Sequence, residues 1–258
     1  MSRKSPLRRS PLDNCSGPRR GRRPDQLRPV SIRTGYIEQA AGSALVSMGN
    51  TRVVCVATLS DGVPPWLAGK GVGWLTAEYM MLPYATDGRT DRQRGLASGR
   101  TQEIRRLVGR SLRMAVDRSA LGERTLTVDC DVLRADGGTR TASITGAYVA
   151  VAQAMAGLRR SGALTVDALS HQVAAISVGM LDGCALLDLD YSEDSRADVD
   201  LNVVMTSEGT LVEVQGTGEG APFTRAQLGV MLELAEQGLE RLFRVQQDAI
   251  ETGKGDWS

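Results

Sequence analysis

Histidine is almost missing from this sequence: His171 is the single example in 258 residues. A Ser-His-Asp triad would have to run through it, and a zinc site built from several imidazoles is excluded. It stands ahead of a strand-like run and is assigned no role. Cysteine is little richer. Cys15, Cys55, Cys130 and Cys184 are far apart and form no Cys-x-x-Cys pair, which excludes a zinc knuckle and a thioredoxin-type site. Cys55, Cys130 and Cys184 lie in apolar segments and read as buried small hydrophobes, so a reducing, cytoplasmic setting is expected. Aromatics are 4% of the chain, which leaves the core to Val, Leu, Ala, Ile and Met. No apolar run approaches the roughly 18 residues a membrane helix needs. The Arg/Pro-rich N-terminus also lacks the apolar stretch of a secretory signal. Neither a membrane nor a secreted protein is expected.

Lysine is scarce too: Lys4, Lys70 and Lys254 are the only three among 31 basic residues. Arginine is the better fork for phosphate, although an arginine-biased composition gives the same ratio, so the clustering carries more weight than the ratio. The formal net charge is +1, yet the charges are segregated. Residues 1–29 hold nine basic and two acidic residues, and residues 87–118 hold nine arginines and four acids. Residues 181–200 hold seven acids and one arginine. Apolar residues make up 41%, enough for a buried core in one large domain or two small ones.

Residues 1–26, rich in Arg, Pro, Ser and Gly, read as a disordered basic tail, with ordered structure from Leu27 to about 246 and a frayed tail over 247–258. A hairpin is predicted from Ala44 through a Gly49-Asn50 turn to Leu59, and a long irregular stretch over 60–98. Ile104, Leu107, Val108, Leu112 and Ala115 recur at helical spacing. Leu126, Val128, Cys130 and Val132 alternate as one face of a strand. After Gly137-Gly138 a second helix places Ile144, Tyr148, Val151, Met155 and Leu158 on one face. Asp182-Gly183 and Ser207-Glu208-Gly209 mark two further hairpins. Thr224 and Gln227 form a capping box for a last helix. Strands followed by a helix, twice over, give an α+β class.

Five stretches could carry chemistry. In Asp136-Gly137-Gly138-Thr139-Arg140-Thr141, two glycines, a hydroxyl and a guanidinium meet the start of a helix, whose free N–H groups and dipole attract an anion. This is a phosphate cradle or an ordinary strand-to-helix turn capped by Thr141 or Ser143; the pattern does not separate them. Ser98-Gly99-Arg100-Thr101 repeats the logic, with Ser98 as cap. In the acidic run Asp188, Asp190, Glu193, Asp194, Asp198 and Asp200, clustered carboxylates suit Mg²⁺, or one of them serves as proton donor, though most such residues are expected to be solvated. Arg89, Arg92 and Arg94 follow Trp66, Trp74, Tyr79 and Tyr84 in the irregular stretch and suit contacts to a nucleic-acid backbone; core packing is the expected role of Trp74 and Tyr79. Gly216-Thr217-Gly218-Glu219-Gly220 lacks dinucleotide-site spacing and reads as a tight loop beside a ligand.

Taken together these blocks resemble the ribonuclease PH family of bacterial phosphorolytic exoribonucleases. The resemblance rests on Arg28-Pro29-Val30, Gly73–Tyr79, Gly99–Ile104, Asp129–Leu133, Ala135–Gly146, Leu187–Tyr191, Asn202–Thr206 and Glu213–Thr217, collinear from Leu27 to Phe243. It implies one α+β domain of βαβ units with mixed sheets and packed helices, assembled as a hexameric ring, a trimer of dimers. It implies trimming of tRNA precursors from the 3′ end, with ribosomal RNA as a further substrate, by inorganic phosphate with release of nucleoside diphosphates. Arg100, Gly138, Thr139 and Arg140 fall on the family's phosphate-binding positions and Asp194 and Asp200 on its metal-site aspartates, with Mg²⁺ as cofactor. Arg100, Arg140, Asp194 and Asp200 are therefore the expected catalytic set, and Arg89, Arg92 and Arg94 the expected RNA contacts. Tyr84 stands where the family commonly has arginine, and residues 1–26 extend beyond its usual start. A non-catalytic RNA-binding ring subunit of exosome type is the alternative; so is a basic-tail nucleic-acid binder on an inert scaffold.

Overall fold

The computed structural model describes Arg19, residues 21–92 and residues 98–257. Among the described residues ten strands form two sheets. Sheet one contains β1 (Val30–Thr34), β2 (Gly42–Met48), β3 (Thr51–Asp61), β4 (Trp74–Met81), β5 (Arg124–Arg134) and β10 (Lys254–Trp257), in the order β10-β1-β2-β3-β5-β4. Sheet two contains β6 (Val173–Leu181), β7 (Cys184–Leu187), β8 (Val199–Thr206) and β9 (Leu211–Gly218), in the order β7-β6-β8-β9. All neighbours are antiparallel except β4 and β5, which run parallel with Glu78 beside Asp129. Helix α1 (Gly99–Ala115) and the single turn α2 (Arg118–Leu121) make that crossover. Helix α3 (Thr139–Arg160) passes between the sheets, the one-turn helix α4 (Tyr191–Asp194) lies between β7 and β8, and α5 (Arg225–Thr252) packs on β6, β7 and β10.

The alternation in β5 behaves as its period requires. Leu126, Val128, Cys130 and Val132 are buried, and the α1 stripe from Ile104 to Ala115 lies against β4 and α3. Helix α3 departs from the expected single face. Fifteen of its residues are buried, because both sheets cover it, and Ala and Gly on every side admit close approach. At Gly146 a Cβ would come within 2.7 Å of the Val46 side chain and 3.0 Å of Cys55 Sγ. By length and composition α3 is apolar enough to cross a membrane, yet most of it is buried inside the protein, where it is the core helix. One hydrophobic cluster runs from Leu27 to Ala249 and includes side chains from both sheets.

Four expectations need correction. The irregular stretch contains β4, whose Leu75, Ala77 and Tyr79 are buried; neighbouring Gly and Pro residues mask its period. The C-terminus does not fray: α5 continues to Thr252, Gly253 turns the chain in the left-handed region (φ 82°), and β10 pairs with β1. That strand is too short and polar to announce itself, and an existing edge supplies its partner. Order also starts before Leu27: Arg19 is buried, and residues 21–26 lie against the body, whereas residues 1–18 and 20 fall outside the described residues. Finally, Cys184 is disulfide-bonded rather than a buried thiol, while Cys55 and Cys130 are free and buried as expected.

Candidate phosphate and metal site

Two helix starts and the α4–β8 segment meet at two adjoining clefts. The larger, about 940 Å³, is lined by Gly137, Gly138, Thr139, Tyr84 and Tyr191 among others. The smaller, about 550 Å³, is lined by Arg140, Asp200, Glu103, Gln215, Thr217 and Glu219 among others. Arg100 and Asp194 line both. The six residues expected at the phosphate and metal positions therefore converge, although they span a hundred positions of chain.

The α3 start is an open anion site. Gly138 is its N-cap, in the left-handed region at φ 64° and ψ 28°, and no side chain caps the first turn. Thr141 and Ser143 do not serve as caps. Thr141 Oγ1 donates back to Gly138 O at 2.9 Å and Ser143 Oγ to Thr139 O at 2.8 Å. The first N–H groups of α3 thus have no side-chain acceptor, the condition that makes a helix start an anion receptor. Gly137 is obligatory here: φ is 74°, and a Cβ would lie 2.5 Å from Leu189 O. Thr139 is buried and shares a hydrogen bond of 2.8 Å with the buried Tyr79 hydroxyl. Burial pushes the Tyr79 phenol up, so it stays neutral.

Arg140 is aimed by two residues not singled out from sequence. Its Nη1 donates to Glu103 Oε1 at 3.1 Å and to Gln215 Oε1 at 2.6 Å, and Gln215 Nε2 donates to Glu103 at 2.9 Å. Both stand in blocks that carried the family resemblance, but nothing in their type or spacing assigned them this work. Arg100, exposed on the first turn of α1, faces the same clefts; Ser98 caps that helix, accepting from Thr101 N at 3.1 Å.

The acidic run separates into structural and cleft-facing members. Asp188, expected as a solvated side chain, is 1% exposed and holds Arg28 through Oδ1 to Nη2 at 2.6 Å and Oδ2 to Nε at 3.1 Å. Burial alone would raise the Asp188 carboxyl, but Arg28 outweighs it and holds the group below the usual carboxylate range. Arg28 Nη1 also donates to Asp136 O, tying this pair to the glycine turn. Asp190 caps α4 in a capping box with Glu193. Asp194 and Asp200 face the clefts. Burial pushes both carboxyls up, opposed by Arg100 and Arg140, and Asp194 pushes Asp200 up further. Two partly buried carboxylates that repel each other, offering oxygen alone, fit a hard divalent cation. Among the described residues no group of three or more His, Cys, Asp or Glu side chains is arranged to hold a metal ion, and Glu219 lines the same cleft as the two aspartates. Asn202 Nδ2 donates to Asp200 Oδ2 at 3.1 Å and fixes its carboxylate.

The expected RNA contacts do not join this cluster. Arg89 and Arg92 are exposed outside both clefts. Burial pushes the Asp131 carboxyl up, and the nearby Arg92 charge partly offsets it. Arg94 lies outside the described residues. Trp74 is half-buried rather than core, with Trp66 edge-on at 6.0 Å and the Arg113 guanidinium 4.9 Å above its ring. Thr217 and Glu219 of the glycine-rich run line the smaller cleft, but Gly216 to Gly218 belong to strand β9 rather than a loop.

Comparison with known proteins places the chain in a family and a fold. Residues 26–156 match the 3′ exoribonuclease family, domain 1, and residues 171–238 match its domain 2. A ribonuclease PH of Moorella thermoacetica is 56% identical over 232 residues, 89% of this chain and 93% of that protein. The fold also matches the Archaeoglobus fulgidus exosome with RNA bound to the active site (TM-score 0.74, 24% identity, 87% of this chain and 90% of that one). Rice Rrp46 matches with a TM-score of 0.69 at 21% identity, over 90% of this chain and 97% of that one.

Proposed function

This chain belongs to the 3′ exoribonuclease family, and from that premise we propose how its clefts carry out phosphorolysis of RNA. It is a phosphorolytic 3′-to-5′ exoribonuclease of tRNA processing, a nucleotidyltransferase that passes the terminal nucleotide of RNA to inorganic phosphate. An oxygen of inorganic phosphate attacks the last phosphodiester, the bond from phosphorus to the preceding O3′ breaks, and a nucleoside diphosphate leaves. That O3′ takes up a proton and becomes the new RNA end.

The observation that carries the site assignment is the uncapped α3 start in the larger cleft, with Arg100 lining both clefts and Arg140 the smaller one. Inorganic phosphate occupies Gly138, Thr139, Arg140 and Arg100, where helix N–H groups and two guanidiniums offset the repulsion between two anionic reactants. Phosphate needs no strong general base, which agrees with a site without histidine. Asp194 and Asp200 would hold Mg²⁺, which when bound would supply positive charge to offset that developing in phosphoryl transfer. The RNA end enters by the larger cleft, beside Tyr84 and Tyr191, each 65% exposed. Arg89 and Arg92, exposed outside both clefts, contact the RNA backbone, as does Arg94. tRNA precursors are the main substrates, ribosomal RNA precursors a further one, and the working assembly is a homohexameric ring. Retention of both arginines and both aspartates speaks against the inactive ring-subunit reading.

The test is a tRNA bearing extra 3′ nucleotides, incubated with Mg²⁺ with and without inorganic phosphate. Phosphate-dependent shortening with nucleoside diphosphates is expected. Nucleoside monophosphates released without phosphate overturn the mechanism. Tight RNA binding without shortening returns the protein to the inactive-subunit class.

A further inference from the structure

Glu193 neighbours the cleft-facing Asp194 in a helix of one turn, but its carboxylate is buried in the protein. Arg19 Nε donates to its Oε1 at 2.8 Å, Arg19 Nη2 to Oε2 at 3.0 Å, and Arg22 Nη2 to Oε2 at 3.0 Å. The remaining Arg19 hydrogen bonds go to carbonyls, chief among them Leu187 O at 2.6 Å and Pro24 O at 3.0 Å. Arg22 Nη1 reaches Asp188 O at 3.1 Å. The side chains of Arg19, Arg22 and Glu193 are 4%, 13% and 8% exposed. Burying three charges is costly unless their hydrogen bonds are made, and here they are. Burial and the neighbouring Arg19 charge push the Arg22 guanidinium down, as expected for two cations held around one carboxylate.

A four-residue helix does not hold itself. Nucleating one turn costs more than its few hydrogen bonds return, so its place must come from outside contacts. Asp190 supplies the cap, and Arg19 and Arg22 supply the clamp. Arg19 belongs to the segment whose basic charge suggested a loose nucleic-acid arm. A guanidinium buried against Glu193 faces no solvent and has no counterion atmosphere to exchange with RNA.

We propose that Arg19 and Arg22 are positioning residues that fix α4 through Glu193, so that Asp194 is presented to the cleft for divalent-cation binding. The kinetic half of this inference rests on the phosphorolytic reading; the cation-binding half does not. Arg23 provides the control, since it carries the same charge in the same segment but is 73% exposed and pairs only with Asp25 among the described residues.

The experiment compares the full-length protein with Arg19→Ala, Arg22→Ala, Arg19→Lys and Arg23→Ala. It reads kcat and KM for RNA and phosphate, Mn²⁺ binding in the absence of RNA and phosphate, RNA affinity at several salt concentrations, and thermal unfolding. Loss of a partner that orients a metal ligand weakens metal affinity or activity about 10- to 100-fold. Arg19→Ala and Arg22→Ala are expected to lose kcat and Mn²⁺ affinity on that scale, with RNA KM and salt slope unchanged. Arg23→Ala is expected to match the unaltered protein, and Arg19→Lys to recover part of the loss. If Arg19→Ala does not fold, the milder Arg22→Ala decides by the same readouts. Unchanged Mn²⁺ affinity in a folded variant overturns the proposal. So does an equal effect from Arg23→Ala, or a loss confined to RNA affinity and its salt slope. If the unaltered protein shows no phosphorolysis, the functional reading fails, and the Mn²⁺ arm still decides the clamp.

Discussion

Helices α1 and α3 begin with the same ingredients, a glycine, a threonine and an arginine, yet they begin differently. At α1, Ser98 caps the first turn and Arg100 extends into solvent. At α3, Gly138 has no side chain to cap with, the nearby hydroxyls turn back onto helix carbonyls, and Arg140 is clamped by Glu103 and Gln215. The Ser98 side chain takes up one of the first N–H groups of α1, whereas among the described residues no side chain takes up any at the start of α3, beside the clamped Arg140. The α3 start is therefore the proposed receptor for inorganic phosphate, and α1 contributes the exposed Arg100 at the cleft edge.

The largest effect is expected where the open start depends on backbone shape. Gly137→Ala forces a Cβ to within 2.5 Å of Leu189 O at a positive φ. It should abolish phosphorolysis and lower stability by about 1–3 kcal/mol, read by activity and thermal unfolding. Arg140→Ala comes next. Removing one preorganised donor costs roughly 10²–10³ in kcat, without loss of fold or ring. Arg100→Ala should raise the phosphate KM by about tenfold, the scale of one charged hydrogen bond made without preorganisation. A larger loss from Arg100 than from Arg140 would reverse the comparison. Ser98→Ala should cost about 1 kcal/mol of stability, as lost caps do, and leave the phosphate KM unchanged.

The carboxylates give a second contrast, in sign. Arg28 holds Asp188 below its ordinary value, so its contribution is complete above the usual carboxylate range and is lost as pH falls through the folded value. Asp194 and Asp200 are raised, so they oppose folding at neutral pH and do so less once protonated. Acid unfolding should therefore shift to higher pH in Asp188→Asn, where the stabilising pair is gone. In Asp200→Asn, stability near pH 7 should rise.

The sequence made the core readable where period and burial coincide, as in β5, α1 and the start of α5. The family resemblance pointed to Gly138, Thr139, Arg140, Asp194 and Asp200, which line the two clefts, whereas residue type alone left a cradle and an ordinary turn unseparated. Three things were not readable. Strand β4 is hidden by glycines and prolines on both sides, and β10 exists because β1 offers an edge. The division of the acidic run into Asp188, which holds Arg28, and Asp194, which faces the cleft, depends on contacts 160 positions away in the chain. The same holds for Arg19, whose basic surroundings suggest solvent while Glu193 buries it.

The most direct test of the open helix start is thermal unfolding of the RNA-free protein as inorganic phosphate is added. A ligand that binds only the folded state stabilises it by RT ln(1 + [L]/Kd), so the unfolding temperature keeps climbing with the logarithm of ligand concentration above Kd. A phosphate-dependent rise of equal size is expected in the unaltered protein and in Ser98→Ala, and none in Arg140→Ala. An undiminished rise in Arg140→Ala would contradict the account.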